Sequence, residues 1–201
     1  CFTNPLFLTK YGESIGRDLL EGGYKAIVLF LGETHFCTGE AVSVADASIP
    51  DDQVEMVHRA HATGLPVIAV MNFARPRAIG EVEHMLDAIV WGWHNGTMNA
   101  EGMLDVLYGK KNPCGRLPMT VLRNVGQIPM YYNAPNTARK VNAYYGEGKS
   151  YYDMKSSPAF PFGYGLSYTE FTYSAPEADR TELSLADIEN GGSIKVTATV
   201  R

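Results

Sequence analysis

Two short apolar runs constrain this chain more than anything else in it. Lys25–Gly32 (KAIVLFLG) and Pro66–Met71 (PVIAVM) are rich in β-branched and aliphatic residues and carry almost no polar interruption. Runs of this length and kind read as strands buried on both faces of a parallel sheet. A helix is expected between them. Pro50-Asp51-Asp52 starts it, Val54, Val57 and Ala60 to Ala62 supply its apolar stripe, and Gly64 ends it.

The same reading predicts a helix at Ser14–Glu21, with Ile15, Leu19 and Leu20 on one face and Gly22-Gly23 as the stop. It predicts a short helix over Pro76–Met85 and a third strand at Asp87–Trp91 (DAIVW). A helix follows over Asn99–Tyr108, with Met103, Leu104 and Leu107 inward and Gly109 after it, and Leu117–Val121 is a candidate fourth strand. Strand–helix–strand alternation with short connections is the α/β pattern. Three or four strands are fewer than an open doubly wound sheet usually holds. Residues 1–121 are therefore expected to be a partial, mostly parallel α/β sandwich domain whose N-terminal part is missing.

Residues 122–168 change character, with weak periodicity and many Tyr, Pro, Asn and Gly residues. So long a segment without regular structure must be tied down, and its aromatics are expected to do this. From residue 169 the pattern becomes all-β. Glu170–Ser174 (EFTYS) and Ile194–Val200 (IKVTATV) alternate, and Asn190-Gly191-Gly192 is a turn signal. Residues 169–201 read as the first strands of a truncated β-sandwich.

Composition narrows the function classes. Hydrophobic residues make up 45% and charged residues 19%, a globular balance. The net charge of −5, without a basic block, argues against nucleic acid as a partner. The longest apolar run, Ala26 to Leu31, is too short to span a bilayer. The chain begins at Cys1 with no visible signal peptide. Cys1, Cys37 and Cys114 form no close pair, so neither a disulfide framework nor a zinc site is expected. No glycine-rich phosphate loop follows a strand, because Gly163-Tyr164-Gly165 lies within the linker. No cofactor or metal is expected.

Several separated motifs occur in one order: Leu31-Gly32-Glu33; the stretch from Glu40 to Gln53 (EAVSVADASIPDDQ); Asp105 to Gly109; Asn112 to Pro118 (NPCGRLP); Val125 to Asn133 (VGQIPMYYN); and Pro161 to Tyr168 (PFGYGLSY). Together they resemble the C-terminal part of glycoside hydrolase family 3, which includes β-glucosidases and β-xylosidases. The resemblance runs from about Gly12 to Arg201. It implies an N-terminal barrel domain or subunit, then a flavodoxin-like α/β sandwich domain, then a fibronectin type III-like domain. No segment of this chain resembles the barrel.

What the resemblance implies chemically is retaining, exo-acting hydrolysis of terminal β-linked glucosyl or related residues by two carboxyl groups. The nucleophilic Asp belongs to the barrel. The acid/base position matches Glu40, on the loop after the first strand, where open α/β sheets place their ligand sites. The competing reading of Glu40 is a solvated loop carboxylate. Glu33 is read as holding the loop through backbone N–H groups, and Asp46 as doing the same at the helix approach.

His35, near Glu40 in sequence, and Trp93 are candidate substrate-binding residues: His35 as a donor to a sugar hydroxyl, Trp93 as a sugar platform. Trp91 is read as core. Tyr131, Tyr132, Tyr144, Tyr145, Tyr151 and Tyr152 are read as linker anchors. Two departures from the family pattern stand out. Val44 replaces an Arg, and Met98 replaces an acid. They keep open a second reading, a non-catalytic carbohydrate-binding or scaffold domain. A third is a flavodoxin-like nucleotide binder. Family habit points to the periplasm or the exterior.

Overall fold

The computed structural model describes residues 22–133 and 151–201. The helix expected at Ser14–Glu21, together with Tyr144 and Tyr145, lies outside the described residues. The chain divides into two compact units, Cys1–Leu166 and Ser167–Arg201.

The first unit is built on a three-stranded parallel sheet. Strand β1 (Ile27–Gly32), helix α1 (Asp51–Ala62), strand β2 (Val67–Asn72) and strand β3 (Ala88–Trp91) follow in that order. The strands lie side by side as β1-β2-β3. Their register aligns Leu29 with Ala69 and Leu31 with Met71 across β1 and β2. It carries those rows on to Ile89 and Trp91 in β3. Side chains alternate between the two faces of a strand, so these six residues share one face. That face carries the core. Met56 and Val57 of α1, Phe73, Ile79, Val82, Val121 and Ala159 pack with it.

The opposite face behaves differently. Val28 and Phe30 of β1 are 41% and 60% exposed, whereas Val70 of the central strand is fully buried. The expectation that the β1 run is buried on both faces fails. An unbroken apolar run signals two-sided burial only where partners cover both sides, and on this face nothing among the described residues covers β1.

Helix α1 starts and stops as expected, although Met56 joins Val57 and Ala60 as its buried residues. Its Gln53 closes the end of β1. The side-chain amide donates to Gly32 O at 2.7 Å and accepts from Gly32 N at 3.1 Å. Gly32 itself admits no side chain, since a Cβ there would lie 2.7 Å from Asn72 O of β2. A Gln53→Ala variant takes the side-chain partner from both backbone groups of Gly32 and is expected to lose about 2 kcal/mol of stability. Urea unfolding measures this, and a loss below about 0.5 kcal/mol would mean that water replaces the amide.

Two other expected elements are absent. Pro76–Met85 is not a helix; only a single 3₁₀ turn, Glu83–Met85, forms there. The backbone is used otherwise: Ala78 pairs with the loop before α1, and Ile79 and Gly80 donate to Leu122 O and Arg123 O. Leu117–Val121 is not a strand either. It contributes an isolated bridge, Val121 to Phe160. Leu117 instead exchanges hydrogen bonds with Gly163 and Tyr164, so the Asn112–Pro118 and Pro161–Tyr168 motifs hold each other. Helix α2 (Asn99–Leu107) forms, but Leu104, expected inward, is 42% exposed.

Among the described residues the linker is tied down by aromatics, Phe160 packing on the core and stacking with Tyr164, and also by an amide. Gln127 is buried. It accepts from Arg123 N at 2.8 Å and donates toward the carbonyls of Lys155, Ser156 and Ser157 at 3.3–3.4 Å. Tyr131, Tyr132 and Tyr152 are exposed. Even so, Tyr132 stacks on Phe162 at 4.2 Å, and the Tyr151 hydroxyl donates to Gly126 O. A buried amide can satisfy several backbone groups at once, which a phenol ring cannot.

In the second unit, β4 (Glu177–Ala178) and β5 (Val196–Thr197) pair antiparallel, and Tyr173 bridges to Val200. Helix α3 (Leu185–Glu189), not anticipated from the sequence, lies between them. Ser184 and Asp187 cap it reciprocally. The expected turn forms at Asn190-Gly191, where it ends this helix. Phe171, Tyr173, Val196 and Val200 remain more than half exposed.

Candidate active site

The C-terminal ends of the three parallel strands share one edge of the sheet. From β1 the chain continues through Glu33 and a 3₁₀ turn, His35–Cys37, to Glu40. From β2 it runs through Phe73 to Arg75 and Arg77. From β3 it runs through Gly92 to Trp93. Ligand sites of open α/β sheets lie at such edges.

Glu33 is the anchor of this edge. Its side chain is 2% exposed. Oε2 accepts from Ala74 N at 3.0 Å. Oε1 accepts from Arg75 Nη1 at 3.0 Å and also from Arg77 Nη2. Glu33 does accept from a backbone N–H, but from Ala74 in the segment after β2 rather than from its own loop, which it reaches through the two guanidinium groups. The arginines reach further. Arg75 Nη1 donates to Cys37 O at 3.0 Å. Arg77 Nη1 donates to Asp46 O at 3.0 Å and Ser48 O at 2.9 Å. Both ends of the loop that carries Glu40 are thus held by the segment after β2.

Glu40 is exposed. Among the described residues its carboxylate makes no ion pair. It sits between two backbone positions in the left-handed region, Gly39 at φ 110° and Ala41 at φ 61°.

Asp46 accepts from Ser48 N at 2.8 Å. That bond holds its carboxyl below the usual carboxylate range. The Ser48 hydroxyl adds to the effect, desolvation opposes it, and the charge of Arg77 adds least. The folded-state pKa lies below the unfolded one. The stabilisation is therefore complete above the ordinary carboxylate range and is lost as pH falls through the lower folded value. The difference in unfolding midpoint between an Asp46→Asn variant and its parent is expected to shrink between about pH 7 and about pH 3. A difference that stays constant over that range would refute this role.

Trp91 packs against the core and Trp93 is half-buried at the strand end. Their rings lie 5.3 Å apart, tilted at 47°. Trp93 adopts φ 55°, a conformation that costs a bulky residue on the order of 1–3 kcal/mol. His35 and Glu40 share one loop. Trp93 follows β3, two strand spacings or about 10 Å from the end of β1. Val44 and Met98 are exposed, Met98 at the N-cap of α2.

The arginines were not anticipated. The available signal is the Arg-Pro-Arg run directly after a buried strand, with a carboxylate at the equivalent place after the neighbouring strand. Residues 21–168 match the glycosyl hydrolase family 3 C-terminal domain. The chain belongs to glycoside hydrolase family 3. Among relatives in that family, it is 40% identical to the periplasmic β-glucosidase of Salmonella typhimurium over 87% of its own length and 22% of the relative's. It is 36% identical to a β-xylosidase of Formosa agariphila, over 87% of the chain and 23% of that protein. The crystal structure of a β-glucosidase from Listeria innocua in complex with glucose superposes with a TM-score of 0.72 at 31% identity. That match covers 82% of this chain and 23% of the other. The chain thus spans less than a quarter of the length of these family 3 proteins.

Proposed function

We propose that this chain is the acid/base-bearing part of a retaining, exo-acting β-glycosidase of β-glucosidase type. The observation that carries the reading is the exposed Glu40 on a loop braced at both ends, at the ligand edge of a parallel sheet. The nucleophilic Asp comes from a barrel domain or subunit. It attacks the anomeric carbon, and the glycosidic C–O bond breaks as Glu40 delivers its proton to the leaving oxygen. Glu40, now a carboxylate, then takes a proton from water as that water attacks the glycosyl-enzyme. This frees the nucleophile and restores the acid. A retaining geometry needs the two carboxyl groups about 5–5.5 Å apart.

Trp93 offers a ring face to a sugar, and its left-handed backbone supports a role beyond packing. His35 donates to a sugar hydroxyl. The substrate is a terminal β-linked glucoside or a related glycoside, and the chain by itself is inactive. A periplasmic or secreted location agrees with the name of the Salmonella relative, and no helix among the described residues is long and apolar enough to cross a membrane. The second unit is the start of a fibronectin type III-like sandwich. Its unburied Phe171, Tyr173, Val196 and Val200 suit a sheet that awaits its partner.

The test is Glu40→Ala in the chain joined to its barrel domain, assayed on glycosides with good and poor leaving groups. A selective loss on poor leaving groups supports the reading, and undiminished hydrolysis of both rejects it. Val44 and Met98 favour a second reading, a non-catalytic scaffold or carbohydrate-binding domain, which predicts that undiminished rate.

A further inference from the structure

Two guanidinium groups converge on the Glu33 carboxylate, and the Asp46 carboxylate lies near enough to Arg77 to feel its charge. Arg77 is the buried partner, with 6% of its side chain exposed. With the Ala74 N–H it already satisfies both oxygens of Glu33. Arg75 is 25% exposed, so folding alone does not demand it there as a counter-charge. Its Nη1 links the Glu33 carboxylate to the carbonyl of Cys37, each at 3.0 Å.

Cys37 closes the 3₁₀ turn three residues before Glu40. Between Cys37 and Asp46 the loop backbone makes one described internal hydrogen bond, Val42 N to Gly39 O at 3.3 Å. Among the described residues, the Arg75–Cys37 bond is the last hydrogen bond from the segment after β2 to the loop before Glu40, next to the buried Thr38. A flexible loop held only at Glu33 and Asp46 would let the carboxylate wander by ångströms. A proton donor misplaced by about 1 Å can lose on the order of 100-fold in rate.

We propose that Arg75 is a positioning residue for Glu40: it pins the Cys37 carbonyl to the Glu33 carboxylate and so sets where the acid/base stands. This rests on the acid/base reading of Glu40. Both bonds leave one nitrogen, Nη1, whose two hydrogens are held in the rigid guanidinium plane; a Lys ammonium is a rotating point charge on a flexible stem and has no such fixed directions.

The experiment uses the chain joined to its barrel domain and compares Glu40→Ala, Arg75→Ala and Arg75→Lys. Each is assayed on 2,4-dinitrophenyl and on phenyl β-glucoside, with and without azide. The expected result for both Arg75 variants is a roughly 10- to 100-fold fall in kcat/KM on the phenyl glucoside. The activated glucoside needs no proton and should keep kcat/KM within about threefold. Azide, which attacks a glycosyl-enzyme without base help, should raise turnover of the activated substrate by each variant, as for Glu40→Ala.

Equal losses on both substrates, or no loss on either, would overturn the proposal while leaving Glu40 in place if Glu40→Ala keeps its leaving-group signature. A Glu40→Ala variant without that signature would remove the acid/base reading and this assignment with it. Should Arg75→Ala fail to fold, Arg75→Lys retains the charge beside Glu33 and decides the matter.

Discussion

Glu40→Ala, in the chain joined to its barrel, is expected to lower kcat/KM for phenyl β-glucoside by roughly 10²–10⁴-fold, the usual contribution of a positioned acid/base. The loss arises because phenoxide leaves poorly without a proton. A dinitrophenolate leaves unaided, so its glycosylation step should change little. Removal of the glycosyl group still needs a base, and the activated substrate should therefore stall at that step, giving a burst followed by slow turnover. Azide should relieve the stall and yield the β-glycosyl azide, with net retention. An α-configured azide product would contradict a double-displacement route. Loss of the burst, with both substrates equally impaired, would contradict Glu40 as the acid/base.

Replacing Glu33 by Ala should have the largest effect on stability. The pair with Arg77 is buried on both sides, at 2% and 6% side-chain exposure. Removing one partner leaves a guanidinium in a site from which it cannot recover its hydration, at a cost of about 3–5 kcal/mol. Arg77 would keep its bonds to Asp46 O and Ser48 O, its place over the Phe73 ring and the nearby Asp46 charge, which compensate it only in part. The cost should appear as a lower urea midpoint with an unchanged slope. A Glu33→Ala, Arg77→Met double variant should recover part of it, since the unpaired charge is gone. A single variant losing less than about 1 kcal/mol would mean that water reaches the cluster.

The elements legible beforehand share a physical basis. Ile27–Gly32, Val67–Asn72 and Ala88–Trp91 are strands because short β-branched runs between helix and turn signals have few other places to go. Asp51–Ala62 is a helix because Pro, two acids and a 3.6-residue apolar stripe agree along one stretch. The α/β class and the family followed from those local signals and from the order of the motifs. Pro76–Met85 failed as a helix because its backbone donors and acceptors are spent on distant partners, Ala47 and Leu122 among them. Local propensity cannot register such partners.

The site divides along the same line. Glu33 and the start of the loop that leads to Glu40 could be placed from the sequence, because the segment after a parallel strand begins at the C-terminal edge of the sheet whatever surrounds it. Arg75 and Arg77 could not. Their partners lie about forty residues away in the chain, and only the parallel pairing of β1 with β2 brings the two loops together. Gln127 is the same case, a polar residue in a loop whose value depends on three carbonyls nearly thirty residues on. The amino-acid order by itself determined the strands, the first long helix and the family. The tertiary structure alone decided which charges are buried together, which face of β1 stays open, and how the Glu40 loop is held. Those outcomes depend on desolvation and on contacts between distant segments, and neither exists until the chain has folded.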